Sequence, residues 1–191
     1  MFLKRDDPHL LIVGMTGVKM GDRFVQIGCA HGGRLAAVAG KVGLSGRAVL
    51  VAPDEAAAER GRKGAENAGV LIEIETAPPT RLPLDADDFD IAIVDDSGGL
   101  LGGLNADDRA KAVNEVRRIL RPAGRALLIG PAPRGGLGGL LSRAPEGPRF
   151  ADAAQRTLES HGFKAVRTLA ERDGLAFVEG TKPRGPVMAD G

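Results

Sequence analysis

The chain has 191 residues, with Lys+Arg 26 against Asp+Glu 25 and a formal net charge of +1. That length suits one domain with a core of its own, and the scattered, nearly balanced charge excludes the basic footprint of a nonspecific nucleic-acid binder. A single cysteine, Cys29, excludes an internal disulfide framework and fits a reducing compartment.

The chain opens with "MFLKRDDPHLLIVGMTG", whose apolar run covers only Leu10 to Met15 and follows the acids Asp6 and Asp7. The run is too short to span a membrane and makes a poor secretory signal, so residues 1–20 read as a leader of a cytoplasmic protein with no membrane association. A strand is expected near 23–28, followed by a glycine turn and a helix near 32–42. Gly28, Gly32 and Gly33 remove side chains from that turn, which lets main chain approach a ligand, and the unpaired N–H groups of the helix start suit a polar or anionic group.

Further strands are expected near 47–52, 70–75, 90–95 and 125–130, with helices near 54–68, 106–120 and 150–161. Asp54 is placed to cap the second helix and Gly69 to close it; Asn105 caps the third, with Asp107 and Asp108 in its first turn and Pro122 beyond its end. The run from Gly130 to Phe150 is rich in glycine and proline, so residues 131–149 read either as a plain connection or as a lid over the sheet edge. Phe163 to Leu169 and Leu175 to Thr181 then read as two antiparallel strands around an Asp173-Gly174 turn, with residues 184–191 as a flexible tail. Alternating strands and helices predict a single α/β domain over 1–183: a Rossmann-like, seven-stranded, mostly parallel sheet with a C-terminal antiparallel hairpin and helices on both faces.

Gly28, Ala30 and Gly33 satisfy the loose spacing of a dinucleotide turn, which admits a nicotinamide cofactor and oxidoreductase chemistry. The same turn, taken with "LPLDADDFDIAIV", "NEVRRILRPAGRALLIG" and "HGFKAVRTLAERDGLAFVEGTKP", resembles the class I S-adenosylmethionine-dependent methyltransferases over roughly residues 16–183. The resemblance implies S-adenosylmethionine as cofactor and methyl transfer to a small-molecule acceptor. It assigns cofactor contacts to Gln26, Gly28, Cys29, Ala30, Gly32, Ala52, Pro53 and Pro78.

Three of those positions lack the carboxylate the family carries there: Gln26 at the end of the first strand, Ala52 where an acid holds the ribose hydroxyls, and Pro78 where an aspartate meets the adenine amino group. Asp54 lies two residues beyond Ala52 and can serve the ribose or the helix cap. Asp95 and Asp96 fall at the end of the fourth strand, beside the methyl-transfer position the family implies. Adjacent strand residues face opposite ways, so only one can serve a single site, and Asp95 is the candidate catalytic residue. No histidine pair has metal-ligand spacing, and no metal is expected.

Loss of the carboxylates also fits a binding or scaffold protein without the cofactor. Two substitutions follow from the enzymatic reading: Gly32→Trp is expected to abolish cofactor binding without unfolding the domain, and Ala52→Asp to tighten it. The sequence leaves the oligomeric state and the methyl acceptor open.

Overall fold

The computed structural model describes residues 9–132 and 149–185. Most of the expected lid, the first part of the leader and the end of the tail lie outside the described residues. The elements are α1 (Leu10–Thr16), β1 (Arg23–Ile27), α2 (Gly32–Val42), β2 (Arg47–Ala52), α3 (Glu55–Ala68), β3 (Glu73–Thr76), β4 (Phe89–Asp95), α4 (Ala106–Ile119), β5 (Leu120–Pro131), α5 (Phe150–Ser160), β6 (Lys164–Arg172) and β7 (Leu175–Thr181).

The seven strands form one sheet in the order β3-β2-β1-β4-β5-β7-β6. β1 to β5 run parallel to one another, and β7 is antiparallel to both β5 and β6. Alternation along the strands builds two cores. Val25, Val49, Ala92 and Leu128 pack under α4 and α5, while Phe24, Leu50, Ile93 and Leu127 pack under α1, α2 and α3. The parallel strands are buried on both sides, as helices on both faces require.

Local signals placed most of these elements. The Asp54 carboxylate accepts from Ala57 N–H at 2.7 Å and Asn105 Oδ1 from Asp108 N–H at 2.8 Å, each capping its helix. Asp173 and Gly174 both take positive φ, 55° and 76°, as a tight two-residue hairpin demands.

Three boundaries differ from expectation. The apolar part of the leader is helix α1, with its residues packed on α2 and the sheet. β3 starts at Glu73 because Gly69 and Val70 N–H groups close α3 on Glu66 and Ala65 carbonyls, so the chain is still ending a helix at Val70. β5 starts at Leu120, directly on the end of α4, and runs through Pro122 and the positive φ of Ala123 before regular pairing with β4 begins at Arg125.

Candidate functional site

In the strand order, β1 leads outward to β2 and β3 on one side, and β4 starts the other half on its opposite flank. The crevice outside the C-terminal ends of β1 and β4 is therefore the topological switch point, where open α/β sheets bind ligands. The β1 turn forms one wall. Gly28 takes φ +82°, and its N–H donates to Val51 carbonyl at 2.9 Å. Gln26 is buried and spends its amide on Gly28 carbonyl at 2.9 Å, and Arg60 Nε donates to Cys29 carbonyl at 2.7 Å.

The end of β4 forms the other wall, and its acids are structural clamps. Asp95 Oδ2 accepts from Ala30 N–H at 2.9 Å, while Oδ1 accepts from Ser97 N–H at 3.2 Å and from the Ser97 hydroxyl. Both oxygens are thus engaged in tying the β1 turn and the post-β4 segment to the strand. Asp96 is buried too, and accepts from Leu101 N–H at 2.6 Å and Gly102 N–H at 3.3 Å. Burial also pushes the Cys29 thiol up to about 11, with the Asp95 charge adding to the effect, so the thiol stays protonated and unreactive at neutral pH.

Burial raises the Asp96 carboxyl above its ordinary value of 3.8, against the lowering effect of its two backbone donors and Arg109. Below the ordinary value the group is protonated in both folded and unfolded chains. As pH rises through the raised folded value, holding the charge inside costs stability. Asp96→Asn keeps an acceptor for Leu101 and Gly102 but removes the ionisation. Its thermal midpoint is expected to gain on the wild type between acid and neutral pH, and an unchanging difference across that range would refute the assignment.

The glycines divide by role. A Cβ on Gly32 would lie 2.0 Å from Arg60 carbonyl oxygen and 3.2 Å from Gly64 Cα, so this residue is bare because α2 and α3 touch there, not because a ligand does. Gly33 faces the side chains of His9 and His31, whose rings meet edge to face at 5.6 Å. The His31 side chain makes no capping hydrogen bond to the start of α2.

At the end of β2, Ala52 is 0 % exposed and lies in the core under α2 and α3. Pro53 is half-buried and Asp54 exposed, while Pro78 stands exposed beyond β3. Gly28, Cys29, Ala30 and Asp95 are thus brought together at the crevice, whereas Gly32 and Ala52 turn into the protein. Arg60 and Arg109 were not anticipated, because their partners lie on other elements and carry no motif.

Two other concavities lack this chemistry. A groove of about 580 Å³ opens at the opposite rim, where its charged residues Arg47 and Glu73 pair with each other at 2.6 Å. A void of about 10 Å³ lies beneath Leu101, between apolar side chains of the sheet and α4. Among the described residues no helix is long and apolar enough to cross a membrane, and no group of three or more His, Cys, Asp or Glu could hold a metal ion.

A family profile described as a methyltransferase domain matches residues 24–124, more than half of the chain, from β1 into β5. The protein belongs to this methyltransferase family. S-adenosylmethionine is the cofactor that membership implies. The chain is 27% identical over 119 residues to the ubiquinone/menaquinone biosynthesis C-methyltransferase UbiE of Idiomarina loihiensis, covering 61% of this chain and 45% of that protein. It is 25% identical over 177 residues to methyltransferase GfsG of Streptomyces halstedii, covering 90% of this chain and 61% of that one. The chain thus spans about half the length of these relatives. A SAM-dependent methyltransferase from Aquifex aeolicus shares the fold with a TM-score of 0.70 at 17% identity, covering 93% of this chain and 94% of that one. The [4+2]-cyclase SpnF shares it with a TM-score of 0.69 at 18% identity, covering 92% and 80%.

The chain's own residues fit the cofactor through main chain. Gly28 turns a bare, positive-φ backbone to the crevice, where its nearest neighbours are the Leu100 side chain and the Asp95 carbonyl; α2 presents a first turn with no side-chain cap, and the exposed Asp54 stands at the β2 rim. A carboxylate at the last position of β2 is missing from this arrangement.

Proposed function

We propose that the protein transfers a methyl group from S-adenosylmethionine to a small-molecule acceptor at the rim of β1 and β4. The observation that carries this reading is the bare Gly28 turn at the switch point, inside the span of the family match. The relatives named for quinone biosynthesis support a small-molecule acceptor. In this reading the main chain of Gly28 to Ala30 and the start of α2 hold the cofactor, with Asp54 beside the ribose and Pro53 and Pro78 flanking the adenine. Bound there, the cofactor supplies an activated methyl group on a sulfonium.

Displacement of that methyl depends on aligning and desolvating the acceptor nucleophile, so it needs no elaborate set of acids and bases. Asp95 has both oxygens committed to Ala30 and Ser97, and it acts as a positioning residue that fixes the turn against β4. The acceptor must therefore arrive as a competent nucleophile or lose its proton to another group.

A second reading, a binding or scaffold protein that has given up the cofactor, is favoured by the buried Ala52 at the ribose position. The two separate by calorimetric titration with S-adenosylmethionine, S-adenosylhomocysteine and NAD(P). Saturable binding of the first two is expected; heat from none of them supports the scaffold, and heat from NAD(P) alone supports the oxidoreductase.

A further inference from the structure

The switch-point crevice is not empty of protein. A Cβ built on Gly28 would lie 2.8 Å from Leu100 Cδ2 and 3.0 Å from Asp95 carbonyl oxygen. One methyl of Leu100 is therefore seated against the bare face of Gly28, in the space that the glycine opens. Gly98, on the same segment, sits over Ala30, with its built Cβ 3.6 Å from the alanine methyl.

Main-chain anchors hold the segment on both sides of Leu100. Before it, Ser97 is bound to Asp95, and Gly99 N–H donates to Asp96 carbonyl at 2.9 Å. After it, Leu101 and Gly102 are bound to the Asp96 carboxylate, while Arg109 donates to the carbonyls of Leu101 at 3.1 Å and Leu104 at 3.0 Å. The backbone is thus fixed around a half-buried leucine that packs against the core under α4 and brings its Cδ2 and Cγ against the turn. Rotation of that side chain would remove its methyl from the face of Gly28 without opening the segment, leaving the Asp95 carbonyl as the fixed wall.

We infer that Leu100 is a steric gate on the cofactor crevice: its side chain fills the hollow over Gly28 in the free protein and has to turn away before an adenosyl cofactor can lie against the β1 turn. The inference rests on the methyltransferase reading and adds to it the residue that sets cofactor affinity. A gate open only part of the time weakens apparent binding by the open fraction.

The test is calorimetric titration of wild type, Leu100→Ala, Leu100→Phe and Leu104→Ala with S-adenosylmethionine and S-adenosylhomocysteine, alongside thermal unfolding of each. For an open fraction near a tenth, Leu100→Ala is expected to bind about tenfold more tightly despite a lower melting point. Leu100→Phe is expected to bind about tenfold more weakly or not at all. Leu104, half-buried in the same segment and packed like Leu100 against the core under α4, contributes none of the atoms nearest the built Cβ of Gly28; it serves as the control and should leave affinity unchanged. Tighter binding cannot come from damage to the fold, so the alanine result separates a gate from a packing residue. A silent wild type with a binding Leu100→Ala would also support the gate. If the wild type binds and Leu100→Ala binds equally or more weakly, the gate is overturned while the methyltransferase reading stands. Silence from every variant overturns both.

Discussion

Ala52→Asp is expected to lower stability by several kcal/mol and to leave little folded protein to titrate. Ala52 is 0 % exposed at the end of β2, where its methyl belongs to the core formed by Leu35, Leu50, Ala57 and Ala58. A carboxylate there has no cation to pair with in that apolar group, and the effective cost of an unpaired buried charge is on the order of several kcal/mol. Domains of this kind hold only about 5–15 kcal/mol in all. The sequence alone suggested the opposite, that an acid restored here would tighten cofactor binding. That expectation assumed a side chain aimed at the rim, and the structure aims it into the helix layer. Urea unfolding of the two proteins measures the difference. A variant as stable as the wild type would mean that the end of β2 opens to solvent.

Gly32→Trp is expected to prevent folding, and Gly32→Ala to cost ~3 kcal/mol or more, the upper end for overpacking. The added Cβ would meet Arg60 carbonyl oxygen at 2.0 Å; from the other side, a Cβ on Gly64 would meet Gly32 carbonyl oxygen at 2.3 Å. Both obstacles are backbone, so no side chain can swing aside, and α2 must part from α3. The expectation that Gly32→Trp would block a ligand and spare the fold is therefore corrected: the residue is a contact between two helices. Gly14→Ala is the matched control, since nothing lies within 4 Å of its built Cβ in α1. It should be neutral or stabilising by about 0.5–1 kcal/mol. Equal denaturation midpoints for Gly32→Ala and wild type would remove the proposed contact.

Features decided within a few residues were legible in the sequence. Asp54 and Asn105 as caps, Gly69 as a helix stop and Asp173-Gly174 as a hairpin each depend on side chains and torsions at most a turn away. The sheet class followed from strand and helix alternation. Pairings between distant elements were not legible. Arg125 donates to Thr16 carbonyl at 2.8 Å and so fastens α1 to β5, which is why a run read as a leader is part of the core. The glycine-rich turn was located correctly as a feature of β1 and α2, but pattern alone could not tell which glycine faces a crevice and which faces a helix. The same limit applied to Asp95, where a strand-end acid suggested chemistry and its two oxygens turned out to be occupied by Ala30 and Ser97.

The position of β7 bears on how the chain is made. Leu175–Thr181 is inserted between β5 and β6, and its residues Leu175 to Gly180 are buried. During synthesis, β1 to β5 can assemble long before the ribosome reaches Leu175, leaving β5 as an unpaired edge with an apolar face. Nascent protein is therefore most vulnerable to intermolecular strand pairing late in translation, and that window closes only when β7 slides in beside β5.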